Sequence, residues 1–262
     1  DGVVNLVLNH ALFIEKRLSL FSSAGNHTLA ECAGLIYAGL LFSEYSRAKK
    51  WFKDGLSIFE TEFDRQVLPD GGGLEQAFWY HVFVTDLGGL VVILLQQYVH
   101  PSPVITAALL RAKQFIAKFS TGYHDVPAIG DSDSGYALSP VLNISWSESK
   151  RDDPLEVFPN SGYSRLQTGQ DVLILDHGPL GMPPNCGHGH ADALSIWLWL
   201  DGQEVLRDSG TYTYTRKLEW RKYFRSTAAH NTVSLAGENQ AKMTAAFMWS
   251  TQYHAELAFQ QN

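Results

Sequence analysis

The feature that most constrains the fold is a change of hydrophobic period near residue 150. Before it, apolar residues recur at helical spacing in five long segments, about 3–20, 28–44, 47–64, 74–98 and 103–119. A 3.6-residue period buries one stripe of a helix, so this half reads as antiparallel helices. From about Val157 the apolar residues fall into short alternating runs: Ser161–Gln167, Val172–Asp176, Ala193–Leu200, Glu204–Asp208, Thr232–Leu235 and Gln252–Leu257. That is the two-residue period of half-buried strands, and Asp201-Gly202 between two of them is a hairpin signal. Helices followed by antiparallel strands make an α+β chain of two domains, residues 1–150 and 151–262. The stretch Gly122–Asp153, rich in Gly, Ser, Asp and Pro, joins them as a long loop.

The chain has 262 residues, 45% of them hydrophobic, which is enough for a core in each half. A formal charge of -7 gives no basic footprint for nucleic acid. Arg216, Lys217, Arg221, Lys222 and Arg225 still form a local cluster that could face an anionic ligand. Two cysteines, Cys32 and Cys186, make no disulfide framework and leave the redox compartment open. The longest apolar run, Leu90–Leu95, is short, so no membrane span is expected. No signal segment heads the chain, which begins at Asp1, and this does not make the protein cytoplasmic.

Chemistry concentrates in Cys186-Gly-His188-Gly-His190-Ala-Asp192, followed by Asp208 and His230. On a strand, His188 and His190 share a face, and a sheet could bring Asp208 and His230 beside them. Histidine and carboxylate ligands of this kind suit zinc. The alternatives are a Gly-rich turn bonded to backbone, with Asp208 capping the Ser209-Gly210 turn, or thiolate ligation by Cys186. The run Gly130-Asp131-Ser132-Asp133-Ser134-Gly135 invites a calcium reading, but Leu142 stands where a loop beginning at Asp131 needs its bidentate Glu. A polar turn is expected there.

His188 to Ser195, Asp208-Ser-Gly-Thr-Tyr212 and Tyr223 to Val233 together resemble the heparinase II/III-like polysaccharide lyases, and Gly25-Asn26-His27 and Glu75 to His81 match in the family's order. The likeness runs from about residue 20 to 240. It implies a partial α/α toroid of antiparallel helices followed by an antiparallel β-sandwich, with the active site between them. Five helices are too few for a complete toroid, so a fragment of a longer enzyme is expected.

The resemblance further implies β-elimination on a uronic-acid-containing glycan. Removing a C5 proton α to a carboxylate requires that the carboxylate be neutralised and the enolate stabilised. Asn26 and His27 match that role, although Asn26 alone would read as a plain N-cap. Tyr80 and His188 match the groups that move protons, Tyr80 as base and acid once its neighbours lower its pKa. Alone, Tyr80 would read as a core aromatic. His190, Asp208 and His230 match the ligands of a structural zinc. Arg221 and Arg225 are candidates for gripping a carboxylate or sulfate, and Tyr212 and Trp79 for stacking on sugar rings. Tyr214 or Tyr223 would be a second site tyrosine, and His81, pointing away from Tyr80, has no assigned role. The implied partner is an acidic polysaccharide, heparan-like, alginate-like or bacterial, met in the periplasm or outside the cell. Two other readings stay open: a non-catalytic glycan-binding or polysaccharide-biosynthesis accessory protein, and a zinc hydrolase with a water on the metal.

Overall fold

The computed structural model describes residues 2–120, 126–133, 137, 154–255 and 257–258. The predicted domain boundary at 150, and most of the linker, lie outside them. Five long helices come first: α1 (Gly2–Lys16), α2 (Asn26–Leu41), α3 (Ala48–Gln66), α4 (Phe78–Tyr98) and α5 (Pro103–Phe119). The strands are β1 (Leu155–Phe158), β2 (Tyr163–Thr168), β3 (Asp171–Asp176), β4 (Ile196–Leu200) and β5 (Gln203–Leu206). A short helix α6 (Leu218–Phe224) and a hairpin of β6 (Met243–Ala245) and β7 (Met248–Trp249) follow. The fold is α+β. The chain divides into two compact units that interleave in sequence, one with residues 2–67 and 82–110, the other with residues 68–81, 111–133 and the strands.

In the helical unit, α2 packs on both α1 and α3. Their shared core holds Ala11, Leu35, Ala38 and Trp51. Gly39 lets the backbones close up, since a Cβ there would sit 2.7 Å from the Ala48 carbonyl oxygen. α1 stops four residues short of the predicted end because α2 captures the exit: Glu31 accepts from the Ser19 amide (2.6 Å) and hydroxyl (2.7 Å), and Thr28 donates to the Ser19 carbonyl. α4 is long and apolar enough, at 21 residues, to cross a membrane. The sequence reading missed this because Thr85 and Asp86 interrupt the apolar run. Most of its apolar length is buried inside the protein, as in a core helix.

In the second unit, β1 to β5 form one antiparallel meander in sequence order. The β4–β5 turn is the predicted one, with Asp201 at φ 49° and Gly202 at φ 73°; both central residues lie in the left-handed region that a tight hairpin requires. One sheet face buries Tyr163, Arg165, Ile174 and Trp197. Against it stand Phe78, Phe115, Phe119 and Phe158; the Phe78 and Tyr163 rings are 5.2 Å apart, and Phe115 and Phe158 5.0 Å. The opposite face carries Leu166, Leu173, Leu175, Ile196 and Leu198, half-buried or exposed. The described residues thus contain this five-stranded sheet and the two-stranded β6–β7 sheet. Thr232–Leu235 is not a strand, and Val233 and Leu235 are exposed. Residues 252–255 are not one either.

Candidate active site and metal centre

The histidine motif lies in the β3–β4 connection, not on a strand. Its path depends on Gly189, where a Cβ would come within 1.5 Å of the Leu180 carbonyl oxygen. No other residue fits without moving the backbone. The loop is then clamped from within by Arg225. Its guanidinium donates to the carbonyls of Gly189 (2.8 Å), Cys186 (3.2 Å) and Ala246 (2.7 Å) and lies 4.6 Å over the Trp249 ring. Arg225 is fully buried, so the expected substrate contact is replaced by a structural one. Cys186 is buried too; burial pushes its thiol up to about 11, and its Sγ donates to the Gly181 carbonyl. The thiol takes no part in the ligand cluster.

Asp131 is the hub of the site. Its Oδ2 stands 2.9 Å from His188 Nδ1 and its Oδ1 3.0 Å from His190 Nε2. Arg221 grips the same carboxylate with both terminal nitrogens, one at 2.7 Å. Burial by itself would raise this carboxyl, but the bonds from His188, His190 and Arg221 hold it well below the usual range. Arg221 is fully buried, so its expected role on the substrate gives way to this bidentate pair. The Asp131 loop is sewn to its neighbours on both sides. The Asp131 amide donates to the His188 carbonyl (2.8 Å), and the Phe78 amide, at the start of α4, donates to the Ile129 carbonyl (3.0 Å).

That start of α4 presents Tyr80. Its ring stacks on His188 with centroids 3.7 Å apart, and its hydroxyl donates to the Tyr214 hydroxyl at 3.4 Å. Of the two candidate second tyrosines, Tyr214 is the one that meets the Tyr80 hydroxyl, and its own hydroxyl faces Asp133 at 3.4 Å. Glu75 lies 3.4 Å from His188 Nε2. The expected lowering of the Tyr80 pKa is reversed. Burial pushes it up to about 12, the Tyr214 hydrogen bond opposes this, and Asp131, Asp133 and Glu75 push further up. Tyr80 is a phenol at neutral pH.

A second cluster lies beside it. His190, Asp192 and His230 are buried and offer ligand atoms within 4.8 Å of one another. A carboxylate only accepts hydrogen bonds, so His190 carries its proton on Nε2, toward Asp131, and His230 on Nδ1, 2.7 Å from Asp208. The remaining nitrogens, His190 Nδ1 and His230 Nε2, are buried without a hydrogen-bond partner in the protein. Burial drives His190 down to about 4, so it keeps a lone pair to offer. Burial and the neighbouring Asp208 raise Asp192 to about 6 despite His230, and Asp176 is pushed well above its usual range by burial and by Asp192. Two unpartnered imidazole nitrogens among crowded carboxylates fit a cation. The arrangement differs from the expected ligand set at one place. Asp208 faces His230 Nδ1 at 2.7 Å with one oxygen and accepts from the Gly210 amide at 2.8 Å with the other, while Asp192, which accepts from the Tyr253 hydroxyl at 3.3 Å, is the carboxylate that stands in the cluster with His190 and His230.

The other expected residues are placed as follows. Asn26 is buried as the first residue of α2, while Gly25, at φ 134°, takes the cap position. His27 beside it is exposed. Both belong to the helical unit. Tyr212, 65% exposed, meets the rings of Trp220 and Phe224 at 6.0 and 5.5 Å, and Trp79 is half-buried. His81 is buried edge-on to Phe115. Asp131, Glu75 and Asp192 were not singled out in the sequence as site residues. Asp131 sits in the run set aside as a polar turn, because its partners are 57 to 90 residues away.

Comparison with known proteins bears on the family and the overall fold. The family model described as heparinase II/III N-terminus matches residues 3–160, and the heparinase II/III-like C-terminal model matches residues 150–262. A curated heparin-sulfate lyase of Bacteroides stercoris is 26% identical over 88% of this chain and 38% of its own length. That of Pedobacter heparinus is 24% identical over 84% of this chain and 37% of its own. The chain thus spans about two fifths of the relatives it matches. A crystal structure of heparinase III superposes with a TM-score of 0.73 at 21% identity, over 90% of this chain and 42% of the other. With its two halves matched in order by the family's N-terminal and C-terminal models, the chain belongs to the heparinase II/III family.

Proposed function

We propose that this chain carries the proton-transfer site of a polysaccharide lyase that cleaves a uronic-acid-containing glycan by β-elimination. The observation that carries the reading is the stack of Tyr80 on His188, with the Tyr80 hydroxyl bonded to Tyr214. In the elimination, a base takes the C5 proton, the C5–H electrons become the C4–C5 double bond, and the C4–O bond breaks with a proton passing to the departing oxygen. Tyr80, a phenol pushed up to about 12, supplies that proton. His188, whose Nδ1 is committed to Asp131, takes the C5 proton at Nε2. Asn26 and His27 take the family's carboxylate-neutralising role, and Tyr212 and Trp79 stack on the sugar chain.

Zinc suits the His190, Asp192 and His230 donor set, and its charge would neutralise the carboxylates packed there. All three ligands are buried, which favours a structural ion over the water-activating metal of a hydrolase. The relatives are named as lyases of heparin sulfate, which favours a sulfated glycosaminoglycan over alginate as substrate, met in the periplasm or outside the cell. The test is incubation with a panel of uronate polysaccharides while following ultraviolet absorbance of a new unsaturated uronate. Activity that Tyr80→Phe lowers by at least about 100-fold supports the lyase. No unsaturated product from folded, metal-loaded protein on any polymer would favour the accessory reading.

A further inference from the structure

We propose that Asp131 is a positioning residue for both centres at once, one carboxylate fixing the proton of His188 and the proton of His190. The inference rests on the lyase reading only in naming His188 as the base.

Asp131 is fully buried and its oxygens are saturated: Oδ2 faces His188 Nδ1 and one Arg221 nitrogen, Oδ1 faces His190 Nε2 and the other. Paired with a guanidinium fork it accepts only, so both imidazoles must donate to it. On His188 this puts a proton on Nδ1 and aims Nε2 to the side where Glu75 stands. On His190 it puts a proton on Nε2 and aims the unpartnered Nδ1 at Asp192 and His230. The two rings thus carry their protons on opposite nitrogens because His188 turns its Nδ1, and His190 its Nε2, to the same carboxylate. Arg221 locks the carboxylate's orientation, with a further bond from its Nε to the Ala246 carbonyl at 2.9 Å. An amide of the same size cannot replace it, since one oxygen and an NH2 group cannot accept from both rings and from Arg221. The chemistry is that of a carboxylate holding a metal-binding histidine, extended here to a second histidine that binds no metal.

The experiment is long-range proton–nitrogen correlation on the intact chain with labelled histidines, at mildly alkaline pH, each ring assigned by single substitution. The expected result is His188 protonated on Nδ1 and His190 on Nε2. Either ring found in the opposite form in the wild-type protein overturns the proposal. The companion variant Asp131→Asn is expected to bind zinc about 10- to 100-fold more weakly by chelator competition, with the His188 proton redistributed. Unchanged zinc affinity together with an unchanged His188 ring would also overturn it. If Asp131→Asn fails to fold, the wild-type ring assignments decide alone. None of these readouts needs turnover, so a protein that cleaves no polysaccharide yet shows both assignments sinks the lyase reading and keeps this one.

Discussion

Tyr80 and His188 meet face to face, but their protons are governed from different directions. Burial, reinforced by nearby acids, holds the proton on Tyr80, and one carboxylate orients the ring of His188. At the second cluster, the zinc site proposed above gives Asp192 and Asp208 separable duties, and mutation should show it. Asp192→Asn removes a ligand and should leave the protein without bound zinc, whereas Asp208→Asn frees the His230 ring and should weaken binding about 10- to 100-fold. Metal analysis after dialysis separates the two, and equal loss in both variants would put Asp208 back among the ligands. Gly189→Ala should fail more severely than either. Its Cβ has no room against Leu180, so the soluble folded fraction should fall far below wild type, whatever the metal concentration.

Among the elements, the start of α4 carries both a site residue and a titratable load. His81, one residue after Tyr80, is fully buried, and burial drives its pKa down to about 4. In the unfolded chain an imidazole titrates near ~6.5, so between these values the unfolded state binds more protons. Stability from this group is therefore present above about 6.5 and lost as pH falls toward 4. Denaturant titrations at pH 7 and pH 5 should show the wild type losing about 2 kcal/mol more than His81→Leu across that interval. Equal losses would mean that His81 is not the neutral buried ring described here. The helices of this region were legible in the sequence because an apolar period over fifteen or more residues is a strong signal. The offset at the start of α4 was not, since Gln76 adopts φ 55°, a local turn that periodicity does not record. α6 was missed for a related reason: seven residues give barely two turns of period.

Across the whole molecule the two cysteines act as reporters, one in each unit. Cys32 is buried in α2, its thiol pushed up to about 12, and Cys186 is buried in the histidine loop, its thiol up to about 11. Neither should react with iodoacetamide in the native protein, because the thiolate is the reactive form. Removing metal with a chelator should expose Cys186 first, since the cluster of His190, Asp192 and His230 is part of what holds its loop. Peptide mass spectrometry reads this directly, and labelling of Cys32 at the same rate would show that the metal supports both units alike.

The sequence by itself determined the order of helices and strands, the β4–β5 hairpin and the location of the chemistry around residues 186–230, because these are recorded in local spacing and in contiguous motifs. It also placed Tyr80 and His188 together in one site by family likeness. Only the tertiary structure decided what each side chain does there. Arg221 and Arg225 resembled substrate grips and proved to be buried clamps, and Asp131 resembled a turn residue and proved to be the hub. The physical reason is the same in each case: a charged side chain takes its role from the partner that compensates it, and these partners stand 21 to 90 residues away along the chain.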